Sequence, residues 1–412
     1  MKNSIINIWT LIMNKTHFIS RFLRRFSNEF FLLIKYFIPS FIATFFRLNK
    51  KRIIFNSSFS NRYEFNGRYL FEYFLINHNE FEVFFIINND KLRAELNLKY
   101  GDFFITSKRT RDIWFILKSK TWVLSTVDIP ILSPFIHKER IVYHIGHGIP
   151  LKHIGLSEKN IPLLSKLNRI IRFRFFTDIL CYSNDLEIMM SNALRVNDAR
   201  MVPLGQPRND ALIKNKLDYL LEKTGIRDRG ESKYILYAPT WRPYSNTKFF
   251  PFAGFSSQEL STFLEKNDIY IYLRPHPHYV FEVDKSILAL DRVVMFDSED
   301  FPEVMDFLSC FDLLITDYSS IYLDFIALTR PVIFIPYDLE LYKREVGFSV
   351  DYDAFTPGHK VHDQTNLFYS IIESLQSFTY KEEVKKINAI TNSKPDNNSK
   401  ENAEYIINNV EM

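Results

Sequence analysis

From Arg52 onward, short apolar runs rich in β-branched and aromatic residues alternate with stretches of helical spacing, which leaves few folds open. The strand candidates in the first half are Arg52–Asn56, Glu82–Ile87, Phe103–Thr106, Thr121–Ser125, Ile141–Ile145, Asp178–Tyr182 and Arg200–Leu204. In the second half they are Tyr234–Ala238, Ile269–Leu273, Arg292–Phe296, Leu313–Thr316 and Val332–Ile335. Helical spacing fills gaps such as Asn66–Ile76 and Glu303–Phe311. Alternating elements of this kind imply an α/β fold of parallel sheets with helices on both faces. The two series are separated by the polar stretch 223–233, which holds Gly225 and Gly230. We therefore expect two Rossmann-like domains facing a central cleft, at 52–222 and 233–390. A linker at 223–232 joins them, and 391–412 forms a loop and a final helix.

A length of 412 residues suits such a pair. With 46% hydrophobic and 24% charged residues, a disordered chain is excluded. Cys181 and Cys310 both sit in apolar runs, which suits buried thiols and excludes a disulfide framework. The charge is uneven. Residues 1–52 carry +9, while the rest of the chain carries −5. A base excess confined to a leader argues against a protein that coats nucleic acid and favours a membrane surface.

That leader, 1–51, contains the apolar run Phe30–Phe46, interrupted by Lys35 and Pro39. A spanning helix needs roughly 20 apolar residues. Basic residues flank the run on both sides, Arg21, Arg24 and Arg25 before it and Arg47, Lys50, Lys51 and Arg52 after it. A span would show a one-sided bias. The expectation is a helical segment lying in the interface, on the cytoplasmic face of the membrane; a marginal span and a purely structural helix are the alternatives. No signal-peptide pattern is evident.

Three of the chain's 11 glycines, Gly146, Gly148 and Gly155, fall within ten residues, directly after a strand candidate. Leu151 stands where a dinucleotide fingerprint needs its third glycine, and no Walker A motif occurs. What remains is a tight turn presenting His147, with Lys152 five residues on. An imidazole titrating near neutrality can accept a proton; alone, it would as readily be a core or capping histidine.

The second half supplies a context. Three strand candidates run into polar clusters: Pro239-Thr240-Trp241-Arg242, Arg274-Pro275-His276-Pro277-His278 and Thr316-Asp317-Tyr318-Ser319-Ser320. Ligands of open parallel sheets bind beyond the carboxyl ends of the strands, so these clusters should line one cleft wall opposite His147. Arg242 and Arg274 offer forked donors suited to phosphate. Ser319 and Ser320 stand at the start of an expected helix, Ser319–Leu328, where backbone N–H groups and hydroxyls suit an anion. Asp324 lies one turn on, placed to accept from a hydroxyl. His278 reads more simply as structural. No His/Cys ligand cluster is evident, so neither a metal nor another cofactor is expected.

In this order, these segments resemble the CDP-glycerol glycerophosphotransferase family, which includes the teichoic acid primases and polymerases. The matching stretches are His147-Gly-Ile-Pro-Leu-Lys-His-Ile-Gly155, Gly205-Gln-Pro-Arg-Asn-Asp210, Ala238-Pro-Thr-Trp-Arg242, Arg274-Pro-His-Pro277 and the run from Ile315 to Glu340, with Asn66–Glu72 like the family's first helix. The similarity spans roughly 52 to 345. It implies a GT-B fold and transfer of a polyol phosphate from CDP-glycerol, with release of CMP. The acceptor would be a lipid-linked glycan or polysaccharide of teichoic acid or capsule synthesis. By this resemblance His147 is the general base and His276 contacts the pyrophosphate and helps CMP leave. Ser319 and Ser320 bind phosphate oxygens, and Asp324 holds a hydroxyl. Gly148, Ile149, Pro150, Leu151, Lys152, Arg208, Pro239, Thr240, Arg242, Arg274, Pro275, Thr316 and Asp317 complete the expected substrate site. One departure is Ile145-Gly146, where many members carry an aromatic or polar residue that would face the acceptor. CDP-ribitol as donor, sugar transfer from a nucleotide sugar, and a non-catalytic membrane scaffold are the competing readings.

Overall fold

The computed structural model describes residues 35–196, 198–227, 230–276, 281–392, 394 and 396–411. Most of the leader, 1–34, and His278 lie outside the described residues.

Seven strands form the first sheet: β1 (Asn49–Asn56), β2 (Glu82–Ile86), β3 (Phe104–Ile105), β4 (Ser119–Leu124), β5 (Ile141–His144), β6 (Asp178–Leu180) and β7 (Arg200–Val202). Their order is β3-β2-β1-β4-β5-β6-β7, and every pairing is parallel. A second lobe repeats the plan. β8 (Lys233–Tyr237), β10 (Ile269–Leu273), β12 (Val293–Met295), β13 (Leu313–Thr316), β14 (Val332–Phe334) and β15 (His359–Lys360) run β12-β10-β8-β13-β14-β15, again all parallel. Between them, β9 (Thr247–Lys248) pairs with β11 (Phe281–Glu282) in a small parallel ribbon. Both large sheets reverse their order beside the first strand of the lobe, between β1 and β4 and between β8 and β13. Such a switch point opens a crevice beyond the strand ends.

The strands read as continuous apolar runs because both sheet faces are covered. Ile53, Ile54 and Phe55 in one lobe, and Leu313, Leu314 and Ile315 in the other, are wholly buried. Each such side chain contributes about 1.5–3 kcal/mol by leaving water. Tertiary packing overrides helical spacing at 303–311, which folds as two 3-10 turns, Val304–Asp306 and Leu308–Cys310. There Phe301, Phe307 and Phe311 all close on Phe296, at centroid distances of 4.4, 5.7 and 5.6 Å. The helix expected at Ser319–Leu328 is also shorter. It runs Ile321–Phe325, tightens to a 3-10 turn at Ile326–Leu328 and stops at Thr329, whose φ is 53°.

The final helix, Asn398–Glu411, returns to the first lobe. Asp210 accepts from the backbone N–H groups of Asn398 (2.9 Å) and Ser399 (2.7 Å) at its start. Asn402 donates to Gly205 O, and Tyr143 Oη donates to Asn402 Oδ1. Gly205 is required here, because a Cβ would stand 1.6 Å from Asn398 Oδ1. At the other end of the chain, residues 35–43 are helical. Tyr36, Ser40 and Ala43 are buried against the first lobe, and Tyr36 Oη donates to Ser107 O at 2.8 Å. Among the described residues no helix is long and apolar enough to cross a membrane. Because Asp210 satisfies two otherwise orphaned donors, Asp210→Ala should lower unfolding free energy by about 1–2 kcal/mol in urea titration. An unshifted midpoint would show that the helix needs no such cap.

Candidate active site

His147 projects from the turn that follows β5. Two glycines shape that turn. Gly146 has φ 62°, and a Cβ there would meet Tyr182 Oη at 2.1 Å. Gly148 has φ 135°, and its Cβ would meet Arg208 Nη2 at 2.7 Å. His147 Nδ1 lies 3.1 Å from Ser125 O. A carbonyl only accepts, so Nδ1 carries the proton and Nε2 keeps its lone pair. The Phe65 ring packs against the imidazole at 4.9 Å. One edge of His147 remains open to the cleft. Desolvation inside the cleft still lowers its pKa, and Arg208 and Lys152 push the same way, opposed by the Ser125 carbonyl.

Arg208 fixes the turn from behind. Its Nη1 donates to His147 O at 2.5 Å, and its Nη2 pairs with Asp324 Oδ2 at 2.6 Å. Gln206 Nε2 donates to the other oxygen of Asp324 at 3.1 Å. Arg208 belongs to the first lobe and Asp324 to the second, so this buried pair ties the lobes together beneath the histidine. Burial raises the Asp324 carboxyl, while Arg208 and Gln206 oppose that rise.

A cleft of about 1230 Å³ lies above the pair. His147, Arg208, Pro239, Arg274, Pro275, His276, Ser319, Ser320 and Asp324 all reach its wall. The two histidines, from different lobes, therefore face one hollow. Ser320 is the residue before the Ile321 helix, yet its hydroxyl makes no capping bond.

Arg274 Nη1 is held by the carbonyls of Phe296, Asp297 and Phe301 at 2.6–3.0 Å, which fastens the 296–301 loop. Burial pushes its pKa down to about 10, so it stays cationic at neutral pH.

The other expected site residues stand behind the wall. Ile149, Pro150 and Leu151 are buried, and Gly148 packs on Arg208. Ile145 is fully buried too, so it does not face an acceptor. Arg242 spends every side-chain nitrogen within the protein: on Thr240 O, on Asp317 Oδ2 at 2.6 Å and on both oxygens of Asp338. Asp317 Oδ1 accepts from Thr240 N, and Thr316 Oγ1 donates to Ala238 O. Lys152 Nζ donates to Thr240 Oγ1 across the lobes at 3.1 Å, and burial pushes its pKa down to about 8. These residues brace the loops after β8, β13 and β14. Asp338 was not singled out from sequence, although it follows β14 much as Asp317 follows β13. Phe65 and Glu303 were also missed. Glu303 Oε2 accepts from Phe65 N across the cleft at 3.1 Å.

Residues 38–412 match the family described as CDP-glycerol:poly(glycerophosphate) glycerophosphotransferase. The chain belongs to that family. It is 31% identical over 359 residues to a teichoic acid glycerol-phosphate transferase of Staphylococcus aureus, covering 81% of this chain and 88% of the relative. It is 27% identical over 326 residues to a teichoic acid poly(glycerol phosphate) polymerase of Bacillus spizizenii, covering 75% and 80%. The solved structure of the wall teichoic acid polymerase TagF superposes with a TM-score of 0.72 over 88% of this chain and 90% of that one. At 20% identity, that likeness speaks for the fold.

For this glycerophosphotransferase-family chain, a lowered His147 pKa keeps the proton-accepting form below the ordinary imidazole value of about 6.5. A base is competent above its pKa and is lost as pH falls through it. The acid limb of kcat/KM should therefore lie below pH ~6.5. A limb above that value would place the controlling titration on another group.

Proposed function

We propose that the chain transfers glycerol phosphate from CDP-glycerol to a hydroxyl of a glycan or polyol-phosphate acceptor, in teichoic acid assembly, with release of CMP. The observation that carries this reading is the contact of His147 Nδ1 with Ser125 O, which leaves Nε2 as the acceptor of a neutral imidazole. It lies on the same cleft as His276, Ser319 and Ser320, and the Ser320 hydroxyl makes no capping bond. His147 Nε2 takes the acceptor hydroxyl proton. The oxygen forms a bond to the β-phosphorus, and the bond from that phosphorus to the bridging oxygen breaks. CMP leaves with the bridging oxygen, its charge met by His276. Ser319 and Ser320 hold phosphate oxygens through hydroxyls and backbone N–H groups. The helix behind them has only five residues, so these local donors serve rather than a long helix dipole. Arg208 and Asp324 orient the base. Arg242 and Asp317 shape the donor wall, and no step calls on a cofactor. Two facing α/β lobes of this kind suit the GT-B arrangement.

His147→Ala should reduce transfer ~10²–10⁴-fold, the usual contribution of a general base, while CDP-glycerol binding persists in calorimetry. Equal loss of both would make His147 a binding residue.

A membrane surface is the second part of the proposal. The helix at 35–43 and its exit leave Ile38, Phe41, Ile42 and Phe45 exposed. The helix Leu163–Phe173 exposes Leu163, Leu164, Leu167, Ile170 and Ile171, beside Lys166 and Arg169. Phe135 joins the two. It packs on Phe37 and Phe41, and Arg174 Nη2 donates to neighbouring Pro134 O. An apolar strip rimmed by bases suits the interface of an anionic bilayer. Leu163→Glu with Leu167→Glu should abolish flotation with phosphatidylglycerol vesicles, whereas unchanged flotation would remove this helix from the membrane contact.

A further inference from the structure

In the loop after β1, Phe59, Ser60 and Phe65 have φ of 53°, 55° and 63°, and none is glycine. Bulky residues adopt this left-handed region at a cost, so the surroundings must hold them there. Phe65 is the one that touches the proposed base. Its ring lies against the His147 imidazole, with centroids 4.9 Å apart and planes at 31°. Phe65 also opens the helix Phe65–Asn77, and the preceding residue, Glu64, makes no side-chain cap. Its N–H is therefore one of the donors that a helix start leaves without an intrahelical acceptor.

The acceptor comes from the other lobe. Glu303 Oε2 takes the Phe65 N–H at 3.1 Å, across the cleft that both residues line. Glu303 is itself buried, and its other oxygen accepts from Met305 N at 3.4 Å. Asp306, on the same segment, takes Arg68 at 3.0 Å and Tyr69 at 2.8 Å, from the first turn of that helix. The second-lobe segment 303–306 thus grips the helix start through both carboxylates. The helix start reaches the histidine turn by a second route. Wholly buried Asn66 donates through Nδ2 to Ile145 O at 2.9 Å and Gly146 O at 3.1 Å, and its Oδ1 accepts from Arg208 N. Residues 65 and 66 therefore hold both the ring of His147 and the backbone that leads into it.

We propose that Glu303 is a positioning residue for the transfer reaction: its bond to Phe65 N fixes the Phe65 ring against His147, so the second lobe aligns the base of the first. This rests on the phosphotransferase reading above, with His147 as the base. Glu303 acts through Phe65 rather than on a reacting atom. The rival role is electrostatic, since the Glu303 charge favours the cationic form of Arg274 on the same cleft.

Two substitutions separate these roles. Glu303→Gln keeps an oxygen for Phe65 N and loses the charge, whereas Glu303→Ala loses both. Glu303→Ala should lower kcat about 10²-fold, the scale of a misplaced catalytic group. The acceptor KM and the calorimetric Kd for CDP-glycerol should stay unchanged, and Glu303→Gln should restore most of kcat. Phe65→Leu should be as slow as Glu303→Ala, and the double variant no slower than either, because both changes remove one arrangement. A glutamine variant as slow as the alanine variant, losses that multiply in the double variant, or a Phe65→Leu variant as fast as the parent would overturn the assignment. If Glu303→Ala does not fold, Glu303→Gln and Phe65→Leu carry the comparison by themselves. A readout free of turnover is the Cε1–H resonance of His147 in selectively labelled protein, assigned with His147→Gln, which the Phe65 ring current displaces. Glu303→Ala and Phe65→Leu should move it in the same direction, and Glu303→Gln should leave it in place. An unmoved resonance in folded Glu303→Ala overturns the positioning role. A parent chain that does not turn over CDP-glycerol sinks the phosphotransferase reading alone, and the resonance then judges the contact.

Discussion

The buried ion pair between Arg208 and Asp324 is the interaction on which the site depends. Each partner comes from a different lobe, and together they lie beneath the cleft. Taking two charges out of water is costly, and a buried pair is tolerated only when further hydrogen bonds satisfy both groups. Here Gln206 fills the second oxygen of Asp324, and the carbonyl of His147 takes another guanidinium proton. One interaction therefore sets lobe spacing and histidine position at once. The glycines at 146 and 148 follow from it. The backbone must curl tightly over Arg208 and under Tyr182, and a Cβ at either position would collide with one of them.

Around this centre, most of the polar residues work on each other. Arg242 binds three loops of the second lobe through Thr240, Asp317 and Asp338. Arg274 grips three consecutive-loop carbonyls, and Asp306 receives Arg68 and Tyr69 from the other lobe. A buried charge left unpaired costs several kcal/mol, so such clusters fold as units or not at all. The result is a rigid frame around a cleft lined by many polar groups. The imidazoles of His147 and His276 and the hydroxyls of Ser319 and Ser320 are among them. Preorganised groups of this kind need little rearrangement as charge develops on a transferring phosphoryl group.

The sheets were legible in the sequence because buried parallel strands are nearly continuous apolar runs, as in Ile53–Phe55 and Leu313–Ile315. All twelve strand candidates overlap observed strands. β9, β11 and β15, two residues each, were not singled out in the sequence. The helix expected at 303–311 was lost to packing around Phe296, which spacing along the chain cannot reveal. The cleft was legible for a topological reason: polar clusters at strand ends must converge. Whether a given arginine touches the cleft was not. Arg242 and Arg274 look alike in sequence. Only the folded chain shows that Asp338, nearly a hundred residues on from Arg242, consumes its guanidinium.

Strain and stability are divided between regions. The sheets hold apolar residues in ordinary extended geometry, and Asn398–Glu411 closes back on the first lobe through Asp210 and Tyr143. Against that frame stand the left-handed residues at 59, 60 and 65 and the partly desolvated His147. Each is unfavourable locally and persists only because neighbouring elements over-determine it. Phe59, Phe65 and His147 line the same cleft, joined by Phe65 against the imidazole. Asp128 links this cluster to Arg172, on the helix whose other face presents Leu163, Leu164 and Leu167 to solvent. A line of contacts thus runs from an exposed apolar helix through Asp128 and the strained loop to the imidazole of His147, so that helix and the cleft share one support.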